Sequence, residues 1–235
     1  MIFRYISYTV PFTVIYTYWL PRTISRGFNT SKTGLLLAIL IGLCALVAYC
    51  GIAYGVSIFF NQPLMSLMLA SIIVFQEYIH RCLNSISMAH APQYIGIGQL
   101  VLRSLQAVFG LLLVAFYRLG LFGAVLSVIF GRSCCLLLLL IMNRDVISRS
   151  RASLQLAKEW IKKSWLPLYT SFTTSILALD VIVVRALSGI EDPIAYYGIS
   201  LSLLGVTIAP LQAVSYTHLR AHETSLHLVC RLLLE

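Results

Sequence analysis

Charged residues are scarce in this chain. Only 11% of its 235 residues are Asp, Glu, Lys or Arg, whereas 59% are hydrophobic. Soluble globular domains carry about 25% charged residues, so this composition excludes an ordinary soluble domain. Acidic residues are the scarcest, eight against 17 Lys and Arg, which gives a net charge of +9. In a chain this apolar the excess predicts positively charged loops at a membrane rather than a nucleic-acid partner.

The motifs of several enzyme and cofactor classes are also missing. The sequence has no phosphate-binding G-x-x-x-x-G-K-[ST] loop, no H-E-x-x-H metal motif and no G-x-S-x-G nucleophile turn. No two cysteines have the C-x-x-C spacing, and those before residue 214 lie in or beside apolar segments, as small packing residues do. We therefore expect a protein that is not an enzyme, with no cofactor and no bound metal.

Long apolar segments fill most of the chain. A helix needs about 20 such residues to cross a bilayer, so the sequence predicts an all-α polytopic membrane protein. The first segment contains a proline and lacks a signal-peptide cleavage pattern, which predicts a kinked membrane helix. The seven predicted spans cover residues 1–20, 34–60, 64–78, 95–117, 119–142, 165–187 and 194–213.

The distribution of Lys and Arg supports this layout. The loops at 21–33, 79–93 and 143–164 hold ten of them, whereas the opposite turns together with Arg4 hold only two. Because Lys and Arg accumulate in cytoplasmic loops, we expect these three loops on the cytoplasmic side of the cell membrane. His80 and His90 would then be loop residues without a ligand role.

The basic loop at 143–164 has helical periodicity, and we predict an amphipathic connector there. A helix over 145–163 would lie in the cytoplasmic interface, with its cations near anionic lipid headgroups. A plain structural connector and a gating element are the two alternatives for its role. Its polar stripe comprises Arg151, Gln155, Lys158 and Lys162, and its apolar stripe Leu154, Ala157, Ile161 and Trp165.

Polar residues inside the spans are the candidate functional residues. Gln99, Arg103 and Gln106 form one stripe on the span at 95–117, and Arg132 lies within the next span. An arginine at this depth must face protein or water, because exposure to lipid is costly. Guanidinium groups stay charged and bind phosphate oxygens in bidentate geometry. The stripe therefore predicts a path for an anionic, lipid-linked headgroup.

Two further candidates, Asp180 and Arg185, lie in the span at 165–187, where we expect a coupling or gating role. Structural pairing is the alternative: Asp180 would bind Arg103, Arg132 or Arg185 within the membrane. Arg185 could also extend to the outer interface, with its aliphatic stem in lipid.

Small residues recur at every fourth position of the span at 119–142. This spacing places them on one face of a helix, where they allow a second helix to approach closely. The seam consists of Gly123, Ser127, Gly131 and Cys135.

The last 22 residues, VSYTHLRAHETSLHLVCRLLLE, do not continue the pattern. Their three histidines and Cys230 would make a conceivable zinc set. However, VSYTHLRAHET matches one reading frame of a transposon-type sequencing adapter, and LVCRLLLE matches the primer that follows it. We therefore expect residues 214–235 to be an adapter-derived addition and exclude them from the fold.

Two stretches and the order of the elements resemble the multidrug/oligosaccharidyl-lipid/polysaccharide flippase superfamily, in its polysaccharide biosynthesis branch. One is the tight helix pair LLLVAFYRLGLFGAVLSVIFG, and the other is WLPLYTSFTTSILALDVIVVRALSG followed by IAYYGI. The resemblance covers about residues 5–213. It implies a partial MATE-like fold, with seven of about twelve to fourteen helices. Residues 1–142 would form most of the first lobe, 143–164 the connector and 165–213 the start of the second lobe.

The resemblance implies a flippase that moves lipid-linked oligosaccharide across the cytoplasmic membrane by alternating access. Membrane lipids and glycan-assembly enzymes are its expected partners. A cation-coupled drug exporter of the same superfamily is one alternative, but it would favour acidic groups, and the spans offer Asp180 alone against three arginines. A membrane-embedded glycan polymerase is another, but it would need a larger outer loop than NQP, YRLG or SGIEDP.

Overall fold

The structure, a computed structural model, describes residues 14–60 and 63–164 and six helical positions between 196 and 204. The chain divides into two compact units, residues 2–177 and residues 178–235 with Met1. In the second unit the Ser200 hydroxyl donates to the Tyr196 carbonyl at 2.9 Å, one helical turn away. The predicted span at 165–187 and the tail from residue 214 lie outside the described residues.

The described part of the first unit is built from helices, with no strand among its residues, which confirms the predicted all-α class for this part. A π-helical turn, Ile15–Trp19, leads into the short helix α1, Leu20–Ser25. The other elements are α2 (Ser31–Phe60), α3 (Leu64–His90), α4 (Gln93–Gly110) with a π-helical continuation (Leu111–Phe116), α5 (Gly120–Met142), α6 (Arg144–Ser148) and α7 (Leu154–Lys163).

Three of the described helices are long and apolar enough to cross a membrane. They are Ser31–Phe59, Gln93–Phe116 and Gly120–Met142. These ranges coincide with the predicted spans at 34–60, 95–117 and 119–142. The predicted span at 64–78 forms the first half of α3, whose second half is polar.

The prediction of a loop at 79–93 is wrong, because α3 continues as a helix to His90. Apolar residues at helical spacing, Tyr78, Cys82 and Ile86, are buried against the neighbouring helices and hold the polar half in place. His80 is therefore a buried helical residue, only 7% exposed, and not a loop residue. The helix ends at His90, and Ala91 leaves the helical region before Pro92, since the residue before a proline disfavours it.

Helix α3 lies at the centre of the unit and packs against α1, α2 and α5. A Cβ atom on Gly42 of α2 would lie 3.1 Å from the ring of Phe75, so the missing side chain lets α2 and α3 approach closely. Tyr78 and Leu83 of α3 are fully or almost fully buried in the same core. This position makes α3 the helix whose polar residues meet the most neighbours.

The small-residue seam of α5 packs against α4, as the spacing predicts. A Cβ atom on Gly131 would lie 2.7 Å from Cγ of Gln106, and one on Gly123 would lie 2.9 Å from the carbonyl oxygen of Leu113. The Cys135 thiol donates to the carbonyl of Gly98 at 3.3 Å. The seam therefore brings the polar stripe of α4 against α5.

The three segments predicted to share the cytoplasmic side meet at one end of the unit, here named the basic end (residues 21–33, 79–90 and 143–164). Backbone and side-chain groups at and just before the start of α2 bind the connector. The side chain of Asn143, at the start of the connector, binds the end of α3. This contact agrees with the predicted alternation of loops. The bonds are Asn29 Nδ2 to Val146 O (2.7 Å), Lys32 N to Ser150 Oγ (2.9 Å), Ser153 N to Thr33 Oγ1 (3.0 Å) and Asn143 Nδ2 to Ser87 Oγ (3.0 Å).

The connector differs from the single amphipathic helix predicted over 145–163. It forms α6 and α7, separated by residues 149–153, whose polar groups bind the start of α2 instead of continuing a helix. The hydroxyl of Ser153 caps α7 by accepting from the Leu156 amide at 3.3 Å. The apolar stripe is also rotated: Ala157 and Trp160 are buried, whereas Leu154 is 77% exposed and Ile161 is 38% exposed. The large indole gains most from burial and sets this rotation.

Replacing Asn143 with Ala should lower the free energy of unfolding by about 2 kcal/mol, because buried partners lose their hydrogen bonds. Asn143 is fully buried and bonds to Ser87 Oγ and, at 2.7 Å, to the Leu139 carbonyl. Circular dichroism during a graded SDS titration measures the change. The control is Ser148→Ala, at an exposed residue whose hydroxyl bonds only locally to the Asp145 carbonyl. Equal midpoints for the two variants would contradict this prediction.

Candidate functional site

An ion-pair cluster joins the middle of α3 to the middle of α5. We name it the Glu77 cluster, and it consists of Glu77, Arg81 and Arg132. Arg81 Nε donates to Oε1 of the Glu77 carboxylate at 2.9 Å, and Arg132 Nη1 donates to its Oε2. The three side chains are only 11–19% exposed. One carboxylate thus compensates two largely buried guanidinium groups.

Helix geometry explains how these residues meet. Glu77 and Arg81 are four residues apart on α3 and so share one face. Arg132 comes from the facing side of α5. Next to it, the Gln76 amide donates to Ser133 Oγ at 2.8 Å and reaches the Ile129 carbonyl at 3.4 Å. Two adjacent polar residues of α3 therefore bind two adjacent residues of α5, which fixes the register of the two helices.

Arg132 and Arg103 lie at similar depths in their helices. Arg132 is ten residues before the end of α5 at Met142, and Arg103 is ten residues after the start of α4 at Gln93. At 1.5 Å per residue, each lies about 15 Å from its helix end, close to the middle of a bilayer core. In a bilayer spanned by α4 and α5, both arginines would lie at this depth and not among the headgroups.

The structure places the predicted polar stripe of α4 beside this cluster. Arg103 is exposed and contacts Oε1 of Gln106 at 3.5 Å, the longest distance for a hydrogen bond. Gln106 is half-buried against Gly131, next to Arg132 in the chain, and Gln99 is half-buried one helical turn before Arg103. Arg103, Arg81 and Arg132 all act electrostatically on the buried ring of His80. The predicted residues Asp180 and Arg185 lie outside the described residues.

Several buried polar atoms here have no hydrogen-bond partner among the described residues. They are Arg132 Nε, Gln76 Oε1 and Asn84 Oδ1. Buried polar groups in proteins are normally bonded to protein, water or a ligand. The guanidinium of Arg132 therefore has donor capacity that Glu77 does not use.

The described site carries an excess of fixed positive charge. Three guanidinium groups, those of Arg81, Arg103 and Arg132, stand against the single carboxylate of Glu77. In the described part of the chain, no three His, Cys, Asp or Glu residues form a group that could hold a metal ion. The excess of fixed positive charge favours a ligand with phosphate or carboxylate oxygens.

No protein-family model, curated protein or solved structure matches the chain. The flippase resemblance therefore stays a prediction, and function must be argued from the site itself.

Sequence reasoning missed Glu77. Glu77 lies within the predicted span at 64–78, near its end, yet Asp180 was counted as the only acidic group in the spans. That count is wrong, because Glu77 lies in the middle of α3. A signal was present: Gln76, His80, Asn84 and Ser87 recur at helical spacing and extend the helix past Tyr78. The arginines of the site are consequently not all free to bind a ligand.

Proposed function

We propose that the protein is a flippase that moves a lipid-linked oligosaccharide across the cytoplasmic membrane by alternating access. The excess of guanidinium groups at mid-span depth, in a bundle of membrane-length helices, carries this proposal. Fixed cations at this depth are costly unless they serve an anionic ligand or a buried pair. Arg132 has such a pair in Glu77, but among the described residues Arg103 makes only its long contact with Gln106.

In this mechanism Arg103 faces a water-filled path and receives the phosphate oxygens of the lipid-linked substrate. Gln99 and Gln106, on the same stripe, donate hydrogen bonds to phosphate or sugar oxygens. Arg132 provides the second guanidinium from α5. Asp180 and Arg185 keep their proposed coupling or gating role. The basic end lies in the cytoplasm, where Lys158 and Lys162 of α7 contact anionic membrane lipids.

Arg103→Gln should reduce transport about tenfold or more, because a charge-assisted contact to the substrate is lost. The measurement is the amount of surface glycan restored when the full-length gene is expressed in a flippase-deficient host. Arg118→Gln is the matched control, since Arg118 is an exposed arginine in the turn between α4 and α5, away from the stripe. Equal glycan levels in the two variants would remove Arg103 from the path, and no restoration by the parent protein would reject the flippase.

A cation-coupled drug exporter of the same superfamily is the second candidate, and Glu77 is the observation that favours it. A buried carboxylate between helices is the kind of group that binds a coupling cation. Its two arginine partners oppose this role, because they already compensate its charge. Dye efflux in the same host separates the candidates: efflux that Glu77→Gln abolishes, without restored glycan, would establish the exporter.

A further inference from the structure

The two arginines of the Glu77 cluster are not equivalent. Arg81 lies on the same helix as Glu77, so their ion pair survives any movement of α3 as a rigid body. Arg132 lies on α5, so its ion pair with Glu77 breaks whenever the two helices separate or Arg132 turns to another partner. The cluster therefore contains one permanent pair and one exchangeable pair.

We propose that Glu77 and a phosphate group of the ligand compete for Arg132, and that Arg81 compensates Glu77 while Arg132 is bound to the phosphate. The proposal rests on the proposed function for the nature of the ligand. Glu77 and Arg81 are then positioning residues that act through Arg132. In the unliganded state Glu77 holds the guanidinium in place. In the liganded state the Glu77 carboxylate keeps its ion pair with Arg81 and has lost the one with Arg132.

The unused donor of Arg132 supports this exchange. Its Nε is buried without a partner in the described part of the chain, while Nη1 binds Glu77. A phosphate that reaches this donor therefore gains a hydrogen bond that does not compete with the bond to Glu77. The Arg132 side chain is also 17% exposed, so its guanidinium is not closed off from a ligand. Arg103, on the neighbouring helix α4, has no carboxylate partner among the described residues and can supply a second guanidinium.

Arg81 is what makes the exchange possible energetically. A buried carboxylate that lost its last cation would carry a large desolvation penalty. Because Arg81 keeps its 2.9 Å contact to Oε1, the loss of Arg132 leaves Glu77 compensated. Removing Arg81 should therefore bind Arg132 more tightly to Glu77, whereas neutralising Glu77 should release Arg132 for the ligand.

Binding measurements on the purified chain in detergent micelles test this exchange. The two probes are inorganic phosphate and a short-chain prenyl phosphate, and the Kd of each is measured for the parent chain and the variants. We expect Glu77→Gln to lower the Kd about tenfold and Arg81→Gln to raise it about tenfold, as for the gain or loss of one charged hydrogen bond. The double variant should match Glu77→Gln within about threefold, because in this exchange Arg81 affects phosphate binding through Glu77.

A purely structural cluster would give a different pattern, with every variant weakening phosphate binding, and that result would overturn the proposal. So would an unchanged Kd in Arg132→Gln or no saturable binding by the parent chain. Circular dichroism shows whether each variant is folded. If Glu77→Gln fails to fold, Arg81→Gln still tests the exchange, because an unchanged or lower Kd for that variant refutes it.

The two probes and the glycan assay separate this inference from the proposed function. A Kd lowered in Glu77→Gln and raised in Arg81→Gln, for both probes, supports exchange with a lipid-linked phosphate. The same shifts with inorganic phosphate alone support the exchange but contradict a lipid ligand. If the shifts occur and the surface glycan is not restored, the exchange holds and the flippase is rejected.

Discussion

Glu77→Gln should lower the free energy of unfolding by about 3 kcal/mol, the typical cost of removing one partner from a buried ion pair. The carboxylate is the only group that compensates both Arg81 and Arg132 within the described cluster. Without it, two guanidinium groups with little solvent exposure face each other, and their repulsion adds to their desolvation. The isosteric amide keeps the shape of the side chain, so the loss reports charge rather than packing.

The same reasoning predicts an asymmetry between the partners. Arg132→Gln should cost less than Glu77→Gln, about 1–2 kcal/mol, because Arg81 still compensates the remaining carboxylate. A graded SDS titration followed by circular dichroism gives both values. Glu159→Gln is the control: Glu159 and Lys163 form an ion pair of the same i,i+4 type on α7, but both are about half exposed. That pair should change stability by about 0.5 kcal/mol or less.

Equal losses for Glu77→Gln and Glu159→Gln would show that the Glu77 cluster is solvated and carries no buried charge. A greater loss for Arg132→Gln than for Glu77→Gln would contradict the shared compensation. Either result would also remove the basis for exchange at Arg132. Glu77 can release Arg132 only if Arg81 is a second cation that compensates its charge. The stability series and the phosphate series thus test the same arrangement through different quantities.

Three of the seven predicted spans coincide with described helices that can cross a membrane, because apolar length alone determines which segments can enter lipid. The seam of α5 was predictable for a similar reason: a period of four in small residues places them on one helix face. The grouping of the basic loops at one end of the unit could also be predicted. Consecutive spans run in opposite directions, so every second loop lies on the same side of the membrane. Each of these features depends on a one-dimensional pattern.

The Glu77 cluster could not be predicted in the same way. The pair Glu77 and Arg81 is visible at i,i+4, but Arg132 is 55 positions away, and only packing shows that it faces the carboxylate. The polar half of α3 looked like a loop because its apolar residues form a narrow stripe. The prediction of a single connector helix failed for a related reason. Residues 149–153 bind the start of α2, and this contact interrupts a helix that periodicity alone would continue.

Gly131→Val should be the second most damaging substitution, because it acts on packing and on the site together. A Cβ atom at this position would lie 2.7 Å from Cγ of Gln106, 3.2 Å from its amide nitrogen and 3.4 Å from its Cα. The side chain of Gln106 could turn away, but its backbone could not, so α4 and α5 must separate. Overpacking of this kind costs about 1–3 kcal/mol.

The separation should also impair function, since Gln106 and Arg132 lie on either side of this contact. We expect Gly131→Val to lose about 2 kcal/mol in the SDS titration and to raise the phosphate Kd of the folded fraction. Gly96→Val is the matched control, because a Cβ atom at Gly96 of α4 meets nothing within 4 Å. If the two valine variants unfold at the same SDS fraction, α4 and α5 are not closely packed at Gly131, and the polar stripe of α4 is not held against Arg132.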